Sequence, residues 1–511
     1  MSPISAGACP APVTQPSVSS APAPADSGRC DAAIPFASRW LFSLDDRRRG
    51  YERVRRQILD VGGCARPIRL RGTALTVALA SGLVLREFSS DGTPFGAILV
   101  RCMNRRAAVC PSCSALYQGD AFQLARAGLV GGKGVPSWVR LNPALFVTLT
   151  SPSFGAVHRA VNPDDPRDRC HVRRGPVKCP HGRARKCTAR HGPGDPDVGG
   201  PLCPDCYDYV GHVAFNVLCS ALFGNLIDTV YHRLAAVGGV SRAAVRRLLR
   251  VEYLRIAEYQ ARGVIHFHVI FRLDGPQDRQ ASAAWATAEV LADAVRSAAA
   301  TVSVAVPVSG ALGERAVRFG EQIDVQFLTL GGTDEQLHEH KVSGYVAKYL
   351  TKGVESARGV NRPIRHAWQI DVLVKSPHIR ALMHACWRLG GLRELKALRL
   401  RAWCHTLGFR GHAVTKSRRF STTFTRLRAD RVAYHHRNDE PVPGGVASVS
   451  EFVFVDQGYP SASLAAFAAQ EYRGMVESRE LARDALALER AAGQSGPAPD
   501  LRGPGWAGGA A

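Results

Sequence analysis

The chain has 511 residues, 46% of them hydrophobic, which is room for two or three domains with cores of their own. A formal net charge of +23 points to a polyanionic partner, nucleic acid ahead of a membrane surface, although the Ala, Arg and Gly richness itself inflates the Arg count. No secretory signal opens the chain and no apolar run reads as long enough to cross a bilayer, so a cytoplasmic protein without membrane attachment is expected.

Residues 1–35 are rich in Pro, Ala and Ser with few large apolar side chains, which predicts a disordered tail, and residues 493–511 are similar. Residues 50–135 are expected to form a small module around a cysteine cluster. Fourteen cysteines in a reducing compartment are not read as disulfides; Cys9 and Cys30 lie in the tail, and most of the others are read as metal ligands or core residues. Cys110-Pro-Ser-Cys113 is a Cys-x-x-Cys knuckle, a spacing that brings two thiolates to one tetrahedral Zn²⁺, and Cys102 and Cys64 upstream could complete four ligands. A redox Cys-x-x-Cys is the rival reading, but the surrounding βαβ pattern is missing.

Ala144-Leu-Phe-Val-Thr-Leu-Thr150 is a strand by its β-branched and aromatic content and opens a domain over 140–355. An insertion at 165–207, rich in Gly, Pro, Arg and His, carries a second knuckle, Cys203-Pro-Asp-Cys206. With Cys179 and Cys187 it reads Cys-x7-Cys-x15-Cys-x2-Cys, a second structural zinc site. His181 and His191 are alternative ligands and Cys170 a spare, each read first as an ordinary loop residue. Cys219, Cys386 and Cys404 fall in apolar settings and are expected in the core.

A helix over 209–236 leads to a hairpin over 251–273, a helix over 281–303, a strand at 322–328 and a helix over 342–354. This order predicts the α+β class, an antiparallel sheet flanked by helices. Residues 356–440 read as a basic, helical C-terminal region in which Lys416, Arg418 and Arg419 could grip phosphates.

The hairpin carries the chemistry. In an extended strand His266 and His268 share a face, with Ile265, Phe267 and Val269 behind them. The turn at Ala261-Arg262-Gly263 sets Glu258 roughly opposite His266, making Glu258 the candidate third ligand, with Gln260 and Asp324 as alternatives. Two imidazoles and a carboxylate leave coordination positions open, which suits Mg²⁺ or Mn²⁺ holding a phosphate oxygen. On the 342–354 helix, Tyr345, Lys348, Tyr349 and Lys352 fall on one stripe. A phenol with a reference pKa of ~10 needs nearby positive charge to become a nucleophile, and Lys348 is the local helper. Met alone, a His-x-His strand is commonly structural and a Tyr-x-x-x-Tyr helix commonly packing. Their joint occurrence after the 144–150 strand is what points to chemistry.

Phe146-Val-Thr-Leu-Thr150, His266-Phe-His268 and Tyr345-Val-Ala-Lys-Tyr349 resemble the three motifs of the HUH endonucleases, the rolling-circle replication initiators. Pro201-Leu-Cys-Pro-Asp-Cys-Tyr-Asp-Tyr209 and Gly408-Phe-Arg-Gly-His-Ala-Val-Thr-Lys-Ser-Arg-Arg419 are similar to the RepSA-type initiators of actinobacterial plasmids and integrative conjugative elements. The resemblance covers roughly residues 50–430. It implies an HUH fold and nicking of origin DNA through a 5′-phosphotyrosine, with Tyr349 attacking first and Tyr345 second, and a host helicase and DNA polymerase as partners. Two alternatives stay open: a conjugative relaxase or HUH transposase, and a zinc-containing DNA-binding regulator without nuclease activity. Relaxases usually place the tyrosine before the histidines, the reverse of this chain.

Overall fold

The computed structural model describes residues 44–171, 178–276, 282–328, 342–344, 357, 359–360, 362–435 and 443–494. The chain divides into two units, Met1–Val54 and Arg55–Ala511. The longer helices among the described residues are α1 (Leu44–Asp60), α2 (Pro111–Val130), α3 (Tyr209–Val237), α4 (Arg242–Leu248), α5 (Ala288–Thr301), α6 (Trp368–Leu373), α7 (Pro377–Leu389), α8 (Phe424–His435) and α9 (Ala462–Gln494). The strands are β1 (Ile68–Ala78), β2 (Val84–Ser89), β3 (Ile98–Val100), β4 (Ala144–Leu149), β5 (Arg250–Tyr259), β6 (Ile265–Asp274), β7 (Val304–Ala305), β8 (Ala316–Val317), β9 (Ile323–Phe327), β10 (Val414–Lys416) and β11 (Val446–Gln457).

Among the described residues the central sheet has five strands in the order β10-β5-β6-β4-β9, and every ladder between them is antiparallel. The mixture of helices with an antiparallel sheet is the expected α+β class. Both faces are covered, so β4 and β6 read as nearly continuous apolar runs. On one face Leu145, Val147, Phe267, Val269 and Phe271 pack beneath α3, α5 and α7 in the main core. On the other, Phe146, Leu254, Ile256 and Ile270 pack beneath α2 and α8, with Val342 joining the same cluster.

The apolar content of α3 is high enough, over 29 residues, for a membrane span, which corrects the expectation that no such run exists. Its apolar girth has another physical reason: Phe215, Leu222, Phe223, Leu226, Val230 and Leu234 are all buried in the main core. Cys219, Cys386 and Cys404 lie buried in that core too.

The sheet of the 50–135 stretch is not built from that stretch alone. β1 pairs with β2 and β3, and its other edge takes β11 in antiparallel register from Ile68↔Gln457 to Ala78↔Val446. α2, at the end of the same stretch, belongs instead to the cover of the central sheet, where Tyr117 stacks on Phe424 with ring centroids 4.9 Å apart and Asp120 pairs with Arg431. The 356–440 region likewise is not helical throughout, since it supplies β10 to the edge of the central sheet against β5.

Candidate metal centre

Backbone pairing places the three hairpin residues. Glu258 is the direct cross-strand partner of His266, and His268 follows two residues along β6 on the same face. Glu258 Oε2 lies 3.0 Å from His266 Nε2 and 3.2 Å from His268 Nε2. The rings of the two histidines meet edge to face at 4.5 Å. An ion with ligand bonds of about 2.1 Å holds neighbouring donor atoms about 3 Å apart, so this spacing fits one shared divalent ion. Glu258 and His268 are buried, and His266 is partly open.

Each histidine is held from its far side. Thr148, on the same face of β4, sets Oγ1 3.2 Å from His268 Nδ1, and Phe146 stacks on the His268 ring at 5.9 Å. The Gln260 amide lies 3.2 Å from His266 Nδ1. Its other end accepts from Arg262 Nε at 3.0 Å, while Arg262 also donates to Ser151 at 2.8 Å. The Thr148 hydroxyl can accept from His268 Nδ1, the outer contact that fixes ring orientation around a metal, whereas the Gln260 nitrogen is a donor that spaces the His266 ring. Gln260 stands beside the group and Asp324 sits on β9 opposite Thr148; the three residues whose donor atoms converge and could hold a metal ion are Glu258, His266 and His268. Thr148 could have been found from the strand alternation of β4, which puts it on the His268 face.

The turn between the two strands is braced from outside. Gly263 has φ +85, and His378 at the start of α7 donates from Nε2 to the Arg262 carbonyl at 2.9 Å. Burial lowers the His378 pKa from the ordinary 6.5 to about 4, which keeps it neutral. Gly199 of the insertion, with φ +88, lies so close that a Cβ there would be 2.4 Å from the Ala261 carbonyl oxygen.

Tyr345, Lys348, Tyr349 and Lys352 lie outside the described residues. Just before them, residues 342–344 are helical, and Val342 packs against the cluster of Phe146 and Ile270, the sheet face that carries Glu258, His266 and His268.

The cysteines gather in three groups. Cys64, Cys102, Cys110 and Cys113 form one, with Cys64 Sγ 3.7 Å from Cys110 Sγ and 3.6 Å from Cys113 Sγ. That is too long for a disulfide and close to the edge, about 3.8 Å, of a tetrahedron of sulfurs around Zn²⁺. Backbone amides of Ala65 and Cys102 point at these sulfurs. In the insertion, Cys179, Cys203 and Cys206 come together as expected, but Cys187 does not join them: His181 takes the fourth place. Cys187 instead meets His158, Cys170 and His191. The correction has a physical reason, because Cys187 pairs backbone to backbone with His171 and is thereby held beside Cys170. The close spacings Cys179-Pro-His181 and Cys187-x3-His191 were the available signal; His158 had none. All three groups have donor sets consistent with zinc.

Of the basic residues expected to hold DNA, Arg418 and Arg419 are exposed. Lys416 Nζ donates to the carbonyls of Ser417, Arg418 and Ser421 at 3.0–3.3 Å, which ties the side chain to the backbone of the turn. Partial burial lowers its pKa.

The family model described as RepSA, Replication initiator protein, pSAM2, matches residues 50–472. A replication initiator protein from Streptomyces ambofaciens is 38% identical over 449 residues, which is 85% of this chain and 93% of that protein. No solved structure matches.

Proposed function

The chain belongs to the RepSA family of replication initiators, and from that membership we propose that it starts replication of a mobile element by nicking one strand of origin DNA as a metal-dependent HUH endonuclease. The observation that carries the reading is the group of Glu258, His266 and His268 on one face of an antiparallel sheet, with donor atoms at 3.0–3.2 Å.

A divalent ion, Mg²⁺ or Mn²⁺, held by these three residues would supply positive charge to the scissile phosphate. Glu258 offsets part of that charge, and Thr148 keeps the His268 imidazole aimed at the ion. Tyr349 is the first nucleophile and Tyr345 the second, by the family pattern. A bond forms between the Tyr349 phenolic oxygen and phosphorus, and the bond from phosphorus to the 3′-oxygen breaks. The phenol gives up a proton and the 3′-oxygen takes one, so a 5′-phosphotyrosine and a 3′-OH primer result. Lys348 lowers the cost of the phenolate, and Lys352 and Arg418 meet neighbouring phosphates. The covalent link keeps the phosphodiester energy, so rejoining requires no nucleotide cofactor. Single-stranded DNA is the substrate at the nick, a host helicase and polymerase extend the primer, and the reaction belongs to the cytoplasm.

The test is cleavage of single-stranded origin DNA with and without Mn²⁺ by the wild type and Glu258→Gln. Cleavage that needs both the metal and Glu258 is the expected result; cleavage unaffected by chelator and by the substitution would count against the endonuclease centre.

A further inference from the structure

From residue 158 to 206, the described residues of the loop between β4 and α3 have almost no apolar core. Among its described residues between 158 and 206, the buried hydrophobic side chains are Val161 and three cysteines, Cys170, Cys179 and Cys203. What it has instead is two four-ligand groups, each with its ligand atoms within 4.8 Å of one another. In the first, His158 Nδ1 lies 3.2 Å from His191 Nε2 and 3.5 Å from Cys170 Sγ, and Cys187 Sγ lies 3.4 Å from His191 Nε2. In the second, His181 Nδ1 lies 3.2 Å from Cys206 Sγ and 3.8 Å from Cys203 Sγ. A tetrahedral zinc site separates its nitrogen and sulfur ligands by about 3.3–3.8 Å, which both groups approach.

The outer contacts fit the same chemistry. Asp195 Oδ2 sits 2.8 Å from His191 Nδ1, so the ring donates there and keeps its Nε2 lone pair for the cluster, the carboxylate-histidine arrangement of zinc sites. The Arg159 amide donates to Cys170 Sγ at 3.4 Å.

We propose that this loop is a cross-braced module of two zinc ions, one bound by His158, Cys170, Cys187 and His191 and the other by Cys179, His181, Cys203 and Cys206. Along the chain, the first and third ligand pairs serve one ion and the second and fourth serve the other. Neither site can therefore close without the segment that carries the other, and metal supplies the folding energy that the missing apolar core does not. The stem of the module is set by pairing of His158 with Gly199 and Gly200, and Gly199 lies against Ala261 at the tip of the β5–β6 hairpin. The module is thus a buttress for the turn that spaces Glu258 from His266.

The test is zinc content of the full-length protein by mass spectrometry, with zinc-edge X-ray absorption for the ligand types. With the four-cysteine group, three ions per chain and an average of three sulfurs and one nitrogen per ion are expected. Two ions with sulfur ligands only, the result if Cys179, Cys187, Cys203 and Cys206 shared one site, would overturn the proposal. His181→Ala and His191→Ala should each lose at least one ion, whereas His171→Ala, in the same loop but in neither group, should keep the full content. Unchanged zinc in either of the first two, or an equal loss in the third, would also overturn it.

Discussion

Glu258 and His266 face each other as direct partners across the β5–β6 hairpin, and Glu258 Oε2 is shared between His266 Nε2 at 3.0 Å and His268 Nε2 at 3.2 Å. One carboxylate oxygen held against two imidazoles is a candidate metal group whose spacing follows from strand register. Glu258→Gln keeps the shape and removes the charge, and should weaken Mn²⁺ binding by more than about 100-fold. Thr148→Val, which removes only the outer contact to His268, should cost about tenfold. Titration calorimetry with Mn²⁺ measures both; unchanged affinity in Glu258→Gln would take the metal site away from this hairpin.

The register also explains how much of the site the sequence disclosed. The alternation of His266 and His268, and the turn that brings Glu258 opposite, follow from the period of a strand, so the triad could be read without coordinates. The partners of Cys187 could not, because Cys179 and Cys187 are near neighbours in sequence but gather in different groups, and spacing alone does not show which residues meet. Nor could β11, which returns across more than three hundred residues to pair with β1, since long-range pairing leaves no local trace. The carbonyls that Lys416 reaches in its own turn leave no mark in the sequence either, since a charge does not show which acceptors will surround it.

Arg272 and Asp274 are fully buried on the metal face of β6 and pair through two contacts of 2.6 and 2.7 Å. Arg272 also donates to the Gly128 and Phe420 carbonyls, tying α2 and the start of the α8 segment to the sheet. Asp274→Ala leaves the guanidinium buried without its counter-charge and should destabilise the protein by about 3–5 kcal/mol. Urea unfolding is the measurement, and a loss below about 1 kcal/mol would show that the pair contributes little.

Burial beneath Tyr207 and Tyr209 holds the pKa of His378 down at about 4, against 6.5 in an unfolded chain. Because the folded pKa is the lower one, the unfolded state takes the proton first. The stability this neutral histidine contributes is present above about pH 6.5 and is lost as pH falls toward about 4, on the order of 3 kcal/mol in all. His378→Gln keeps a donor for the Arg262 carbonyl and does not titrate. Its stability should fall less than that of the wild type between about pH 7 and pH 5, though His212 beside it, shifted the same way by complete burial, retains its own share. Equal slopes would contradict the assignment.

Gly199 has φ +88 and leaves no room for a Cβ against the Ala261 carbonyl. Gly199→Ala should cost about 1–3 kcal/mol and displace the hairpin tip, weakening Mn²⁺ binding with the zinc content unchanged. Normal Mn²⁺ affinity in the folded variant would show that the contact does not reach the metal group.

The most direct test of nicking by this chain is formation of a covalent adduct between the full-length protein and 5′-labelled or 3′-labelled single-stranded origin DNA in Mn²⁺, resolved on a denaturing gel. An adduct on the 5′ end of the downstream fragment, lost in the Tyr345→Phe, Tyr349→Phe double variant and reduced most by Tyr349→Phe alone, is the predicted result. Cleavage without an adduct, or an adduct that survives removal of both tyrosines, would contradict the account.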